Sequence, residues 1–371
     1  MSTSQKKKTA LVLSGGGFPG YMYEVGCLAA LDAFFDDGFS VNDFDIYVGT
    51  SAGAAVASLL ANQARPLEIF EAIRDDTESP FNFSRSDIYS FGYKETWKVL
   101  KRLIRSMGPL AGYIFKNRKR SSILDIIHLL EENLPSGLFV LENFDRYLTH
   151  FFSYAGYTND FRQLKRELYV PAVNIDSGRY DVFGEEGFDD VTISKAVTAS
   201  SAMPILFQPV TIKGKDYVDG GVGRVAYMDI AINHGAALIV VINPVQYVVN
   251  DRENVCIRTL AGECVGLKDK GLSFIFDQAL RINSSTRMYF AMKRYGVEHP
   301  DRDILLIQPD PTDSVMFMYN VVNFTRRREV LNYGYVSTVQ ALRRDFPTYE
   351  KCFGKLGIRV SLDRFTKVEG T

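Results

Sequence analysis

At 371 residues, 46% hydrophobic and 23% charged, the chain has the composition of a globular protein with room for one large or two ordinary domains. Its net charge of −1 excludes a global pull toward nucleic acid or anionic lipid, so any such preference must come from a local patch. The four cysteines, Cys27, Cys256, Cys264 and Cys352, are scattered without a Cys-x-x-Cys pair. Neither a disulfide framework nor a zinc site is expected, and the reading is reduced thiols in a cytoplasmic protein.

From the start of the chain, "MSTSQKKKTALVLSGGG" sets basic residues before apolar ones. The apolar run is shorter than the roughly 7–15 residues of a signal-peptide core. It reads instead as a tail entering a buried strand, "TALVLSGG". "GYMYEVGCLAALDAFF" follows with mixed apolar helical character, then a strand "DFDIYVG" and an alanine-rich helix "SAGAAVASLLAN". Strands alternating with helices predict a mostly parallel sheet covered on both faces, an α/β fold. Residues 80–144 read as a helical, basic insertion. "LYVPAVNIDSGRYDVF" reads as two strands around Asp176-Ser177-Gly178. A helix near "TISKAVTASSA" and buried strands "ALIVVINP" and "DILLIQP" come next. From Val315 the chain reads as helices. No linker divides it, and no stretch reaches the roughly 18 apolar residues of a spanning helix. The expected organisation is a domain over 1–310 and a helical extension over 311–371 packed on it.

The second strand runs into Gly49-Thr50-Ser51-Ala52-Gly53, the Gly-x-Ser-x-Gly pattern of a nucleophile elbow. A serine on a sharp strand-to-helix turn projects from the sheet, and Gly49 and Gly53 are small where the chains crowd. Such a serine needs a base. His128, His150, His234 and His299 each read as structural, with His234 the best of them for a triad. The other option is Asp219, which follows a short strand and precedes Gly220 and Gly221; the dipeptide alone reads as a hairpin turn, and only the neighbouring pattern favours a base. The loop Gly15-Gly16-Gly17-Phe18-Pro19-Gly20 fits a nucleotide loop as well as an oxyanion hole. A dinucleotide fold wants an acid at the end of the next strand, but that strand ends Val48-Gly49-Thr50-Ser51, with Asp43 and Asp45 at its beginning.

Four blocks in order give the chain its resemblance to the patatin-like phospholipases: the glycine loop, Gly49-Thr50-Ser51-Ala52-Gly53, "ASSAMPILFQPV" and Asp219-Gly220-Gly221. The resemblance spans roughly residues 8 to 245. It implies a three-layer α/β/α, modified α/β-hydrolase-like sheet and a lipid acyl hydrolase. It further implies a dyad of Ser51 as nucleophile and Asp219 as general base, with backbone N–H groups of Gly16, Gly17 and Phe18 as oxyanion donors. Pro19 stands where the family often carries Arg or Lys. It removes a charge and an N–H from the loop, yet suits the first turn of a helix.

Lys98, Lys101, Arg102, Arg105, Lys116, Arg118, Lys119 and Arg120 fall in a stretch free of acids, with Leu100, Leu103, Ile104 and Met107 at helical spacing opposite. The pattern suits a peripheral contact with an anionic bilayer or an ordinary surface helix equally. No metal or cofactor is implied, the carboxylates lacking ligand spacing. The expected partner is a lipid or acyl-ester substrate and not nucleic acid, and the sequence leaves the oligomeric state open. The competing function is a non-catalytic lipid-binding protein of the same fold, and less favoured, a dinucleotide-binding one.

Overall fold

The structure is a computed structural model that describes residues 7–36, 38–90, 97, 101, 134–154, 156–251, 257–259, 262–318 and 326–367. Ten strands are used here: β1 (Lys8–Leu13), β2 (Ile46–Gly49), β3 (Gly137–Phe139), β4 (Glu167–Asn174), β5 (Arg179–Phe183), β6 (Ile205–Phe207), β7 (Val210–Ile212), β8 (Lys215–Val218), β9 (Ala236–Ile242) and β10 (Asp303–Ile307). The main sheet runs β10-β9-β1-β2-β4-β8-β7, with β5 also paired to β4. From β10 to β4 the pairing is parallel, and β4 meets β5 and β8 antiparallel. The expected mixed α/β fold with a mostly parallel central sheet is the observed one.

The layers follow from strand alternation. In β1, Leu11 and Leu13 face one core, and Ala10 and Val12 the other. The first face is covered by α1 (Gly17–Phe34), α2 (Ala52–Ala61), α3 (Pro66–Arg74), α4 (Arg85–Ile88), α5 (Glu142–Phe151) and α6 (Ile193–Ser200). The second face takes Met228, Ile230 and Ile232 of α7 (Met228–Asn233) and Met288 and Tyr295 of α8 (Leu272–Glu298). After β10 come α9 (Val315–Met318), α10 (Arg327–Arg344) and α11 (Phe346–Gly354). Helix α10 lies on the back of α1, which explains why α1 is apolar all round: it is buried between sheet and helix.

Three sequence expectations change. The helix after the glycine loop starts at Gly17, so Pro19 is its third residue, where the missing N–H has no intrahelical acceptor to lose. The segment 80–144 is not wholly helical: Gly137–Phe139 pairs in parallel with β6. A Cβ at Gly137 would lie 2.3 Å from the Phe207 backbone, so the strand depends on a glycine there. Cys264 is disulfide-bonded, against the expectation of reduced thiols, while Cys27 and Cys352 are free and buried. Arg258 and Cys264 form an isolated antiparallel backbone bridge in the same loop. The basic segment 98–120 lies, apart from Lys101, outside the described residues, as does His128. Among the described residues no helix is long and apolar enough to cross a membrane.

Candidate active site

Parallel strands deliver their following loops to one end of the sheet, where ligands bind in α/β proteins. Here β1 ends at the glycine loop and β2 at Ser51. Their register pairs Leu13 with Gly49, so the two loops leave the sheet side by side. The Thr50 N–H donates to the Leu13 carbonyl at 3.0 Å and holds them together.

Ser51 sits at φ 55° and ψ −127°, a strained conformation for a residue with a side chain, at the N-terminus of α2. The turn is kept by neighbours that must be glycine. A Cβ at Gly49 would lie 2.5 Å from the Gly53 carbonyl oxygen, and one at Gly53 2.6 Å from that of Leu13. The Ser51 N–H donates to Ser200 Oγ at 3.0 Å, and the Ser200 hydroxyl donates to the Pro171 carbonyl at 2.7 Å. Ser200 thus ties the elbow to α6 and β4. The α2 N-terminus favours negative charge next to Ser51.

Asp219 comes from the other side, directly after β8. Its own N–H donates to the Ala202 carbonyl at 3.0 Å, which joins its turn to the end of α6. Gly220 permits the approach: a Cβ there would meet the Pro171 carbonyl at 2.5 Å and Thr50 Cγ2 at 2.9 Å. Asp219 is buried. Its Oδ1 accepts from Gly221 N–H at 2.7 Å, while Oδ2 has no hydrogen-bond partner among the described residues. Burial raises the carboxyl to a pKa of about 6; the Ser51 hydroxyl and the Gly221 N–H both oppose that rise. The Ser51 hydroxyl thus lies near enough to favour the charged carboxylate.

Gly15, Gly16 and Gly17 all have positive φ, at 78°, 124° and 66°, a backbone that side-chain-bearing residues rarely adopt. Among the described residues no acceptor takes the Gly16 or Gly17 N–H, whereas Gly15 donates to Glu24 Oε1 at 2.9 Å. Glu24 is fully buried in α1, and burial pushes its pKa well above the usual carboxylate value. Glu24 thereby anchors the first residue of the glycine loop to α1. Sequence reasoning missed Glu24. Its signal was a lone acid among Tyr21, Met22, Tyr23 and Val25, where an apolar helix tolerates a charge only with a partner.

An apolar cavity opens on Ser51. Gly17, Phe18 and Tyr21 of α1, Ala52, Ala55 and Leu59 of α2, and Phe83, Phe144 and Phe207 line it. Phe83 packs edge-on against both Phe18 and Tyr21, with centroids at 5.7 and 5.1 Å. The described histidines are spent elsewhere. His234 stacks on Tyr169 at 4.1 Å and lies just before β9, at the opposite end of the strands from Ser51. His150 faces Tyr154, and His299 stacks near Tyr295.

A family model described as patatin-like phospholipase matches residues 11–232. "Probable lipid hydrolase 463L" of Invertebrate iridescent virus 6 is 26% identical over 234 residues, 63% of this chain and 66% of that protein. An uncharacterized protein of Acanthamoeba polyphaga mimivirus is 25% identical over 221 residues, 60% of each. The chain spans just under two thirds of the length of these relatives. Among solved structures, VipD from Legionella pneumophila superposes with a TM-score of 0.41 at 16% identity, over 91% of this chain and 67% of that one, too loosely to argue from.

Proposed function

The chain belongs to the patatin-like phospholipase family, and we propose that it is a serine lipid acyl hydrolase working through Ser51 and Asp219. One observation supports the reading: a strained Ser51 lines an apolar cavity, and its side chain acts on the buried, partly unpartnered carboxylate of Asp219, which arrives from a different strand. The cavity suits an acyl chain, since apolar lining with few polar groups is what such a ligand needs.

In this mechanism Asp219 takes the Ser51 proton as Oγ attacks the ester carbonyl. The tetrahedral oxyanion points at the Gly16, Gly17 and Phe18 N–H groups, each such donor being worth about 3–4 kcal/mol of barrier. Asp219 then gives its proton to the departing alcohol oxygen, and the acyl group stays on Ser51. A water molecule, deprotonated by Asp219, attacks the acyl carbon and releases the fatty acid, returning the proton to Ser51. A base with a pKa near 6 is ionised at neutral pH yet basic enough for these transfers.

The test is turnover of a soluble short-chain ester and of a phospholipid by Ser51→Ala and Asp219→Asn. Each should lose at least about a thousandfold in kcat, as for other nucleophile–base pairs. A fluorophosphonate should label the parent on Ser51. Full turnover in either variant would refute the dyad.

A further inference from the structure

On the far face of the sheet from the Ser51 cavity lies an apolar strip that the protein interior does not use. Helix α8 connects β9 to β10, and its buried residues are Gln278, Arg281, Met288 and Tyr295. Met288 and Tyr295 pack on the sheet. Gln278 exchanges hydrogen bonds with the Val248 backbone at 3.2 and 2.7 Å, and Arg281 donates to the Gln246 carbonyl at 3.2 Å. At about 100° per residue these four share one side. Leu272, Phe276, Phe290 and Val297 fall on the other, and are 85%, 54%, 62% and 76% exposed. A crossover helix ordinarily turns a polar side to water. Here the outward side carries exposed apolar residues toward both ends of the helix, with Asn283 and Thr286 between them, the kind of patch that marks an interaction surface.

Two contacts link α8 to the loops of the candidate site. The loop that Gln278 and Arg281 grip begins with Pro244 and Val245, which lie against Gly16. Arg287 donates to the Gly223 carbonyl at 3.2 Å, in the turn that follows Asp219. Cations border the strip: Lys268, Lys270, Arg287, Lys293 and Arg294 stand against Asp269 and Glu298. That is a local positive excess on a chain whose net charge is −1.

We propose that the outer face of α8 docks on an anionic phospholipid bilayer. Leu272, Phe276 and Phe290 enter the headgroup–acyl boundary, and the bordering cations meet lipid phosphates. Docked this way, α8 holds the protein on the surface where its substrate lies. The proposal rests on the lipid-hydrolase reading for its purpose and on the helix face for its chemistry. A second copy of the chain is the weaker occupant, because a two-fold contact would set the same cations against one another.

The experiment is co-sedimentation of the Ser51→Ala protein with phosphatidylcholine vesicles, with and without phosphatidylglycerol. Strong binding is expected only with phosphatidylglycerol. A Leu272→Ser, Phe276→Ser, Phe290→Ser variant should bind at least about tenfold more weakly, three apolar side chains having been withdrawn. Lys268→Glu with Lys293→Glu should weaken binding and its salt dependence together. With Ser51 intact, both variants should turn over a soluble short-chain ester like the parent, which also shows that they fold. Absence of vesicle binding by the parent, or unchanged binding by the serine variant, would overturn the proposal. So would a parent dimer that the serine substitutions split while vesicle binding persists. A short-chain ester assay insensitive to Ser51→Ala would overturn the hydrolase reading alone, leaving the vesicle result to stand by itself.

Discussion

Asp219 holds a carboxyl where the fold would prefer a neutral group. Its ordinary pKa of 3.8 rises to about 6 on burial. Between those values the folded chain binds more protons at this site than the unfolded chain does. Stability therefore falls as pH climbs through that window, by about 2–3 kcal/mol at neutral pH. Asp219→Asn removes this cost and keeps an acceptor for the Gly221 N–H. The variant should melt a few degrees higher than the parent at pH 7.5 by calorimetry. The difference should vanish below about pH 3, beneath both the folded and the unfolded pKa, where the carboxyl is neutral in either state. Turnover by the parent should rise through about pH 6, as the base ionises. A lower melting point at pH 7.5 would mean that Oδ2 is better solvated than its burial indicates. The sequence singled out Ser51 and the glycines because each answers a local demand, a sharp turn, a close approach or a positive φ, whereas Asp219 stood out only through the four ordered blocks of the resemblance. Glu24 and the role of Ser200 were hidden because their partners are backbone groups on other elements, Gly15 for one and Ser51 and Pro171 for the other.

At the scale of elements the decisive contact is the crossing of α1 and α10. A Cβ at Gly26 would lie 2.2 Å from the Leu331 carbonyl oxygen and 2.8 Å from the Tyr335 nitrogen. One at Gly334 would lie 2.4 Å from the Tyr23 carbonyl oxygen. The helices therefore touch backbone to backbone, and Cys27 Sγ reaches the Gly334 carbonyl at 3.6 Å. Gly26→Ala should force them apart and cost about 2–4 kcal/mol, overpacking with no flexible side chain to yield. Gly334→Ala should cost a similar amount, and the double variant less than the sum, since one separation relieves both. Chemical denaturation measures all three; full additivity would show that the two glycines relieve different contacts. The strands and α1 could be read from apolar runs and turn residues. This crossing could not, because a glycine within a helical pattern reads as a tolerated weakness until its neighbour across the interface is known.

Across the whole molecule, the glycine loop, the Ser51 turn and Asp219 hang from one sheet, but the helix carrying the loop is clamped from behind by the last part of the chain. Phe34, near the end of α1, meets Phe346, Tyr349 and Phe365 with ring centroids 5.9–6.2 Å apart. The Ser361 N–H donates to the Phe34 carbonyl at 2.9 Å. Tyr23, Gly26 and Cys27 are covered at the α10 crossing. We therefore expect residues 311–371 to be required by the catalytic fold and not merely attached to it. A chain ended after residue 310 loses α9, α10 and α11 and bares the back of α1, whose residues are apolar on every side. Exposed area of that size exceeds what a soluble monomer carries. The shortened chain should aggregate on expression, or, if recovered, bind a hydrophobic dye and lack the near-ultraviolet circular dichroism of packed aromatics. Its loop should fail with it, because Gly15 is held by Glu24 on the same helix. A soluble, cooperatively melting 1–310 chain with parental ester turnover would show instead that the sheet and α1 hold the site unaided.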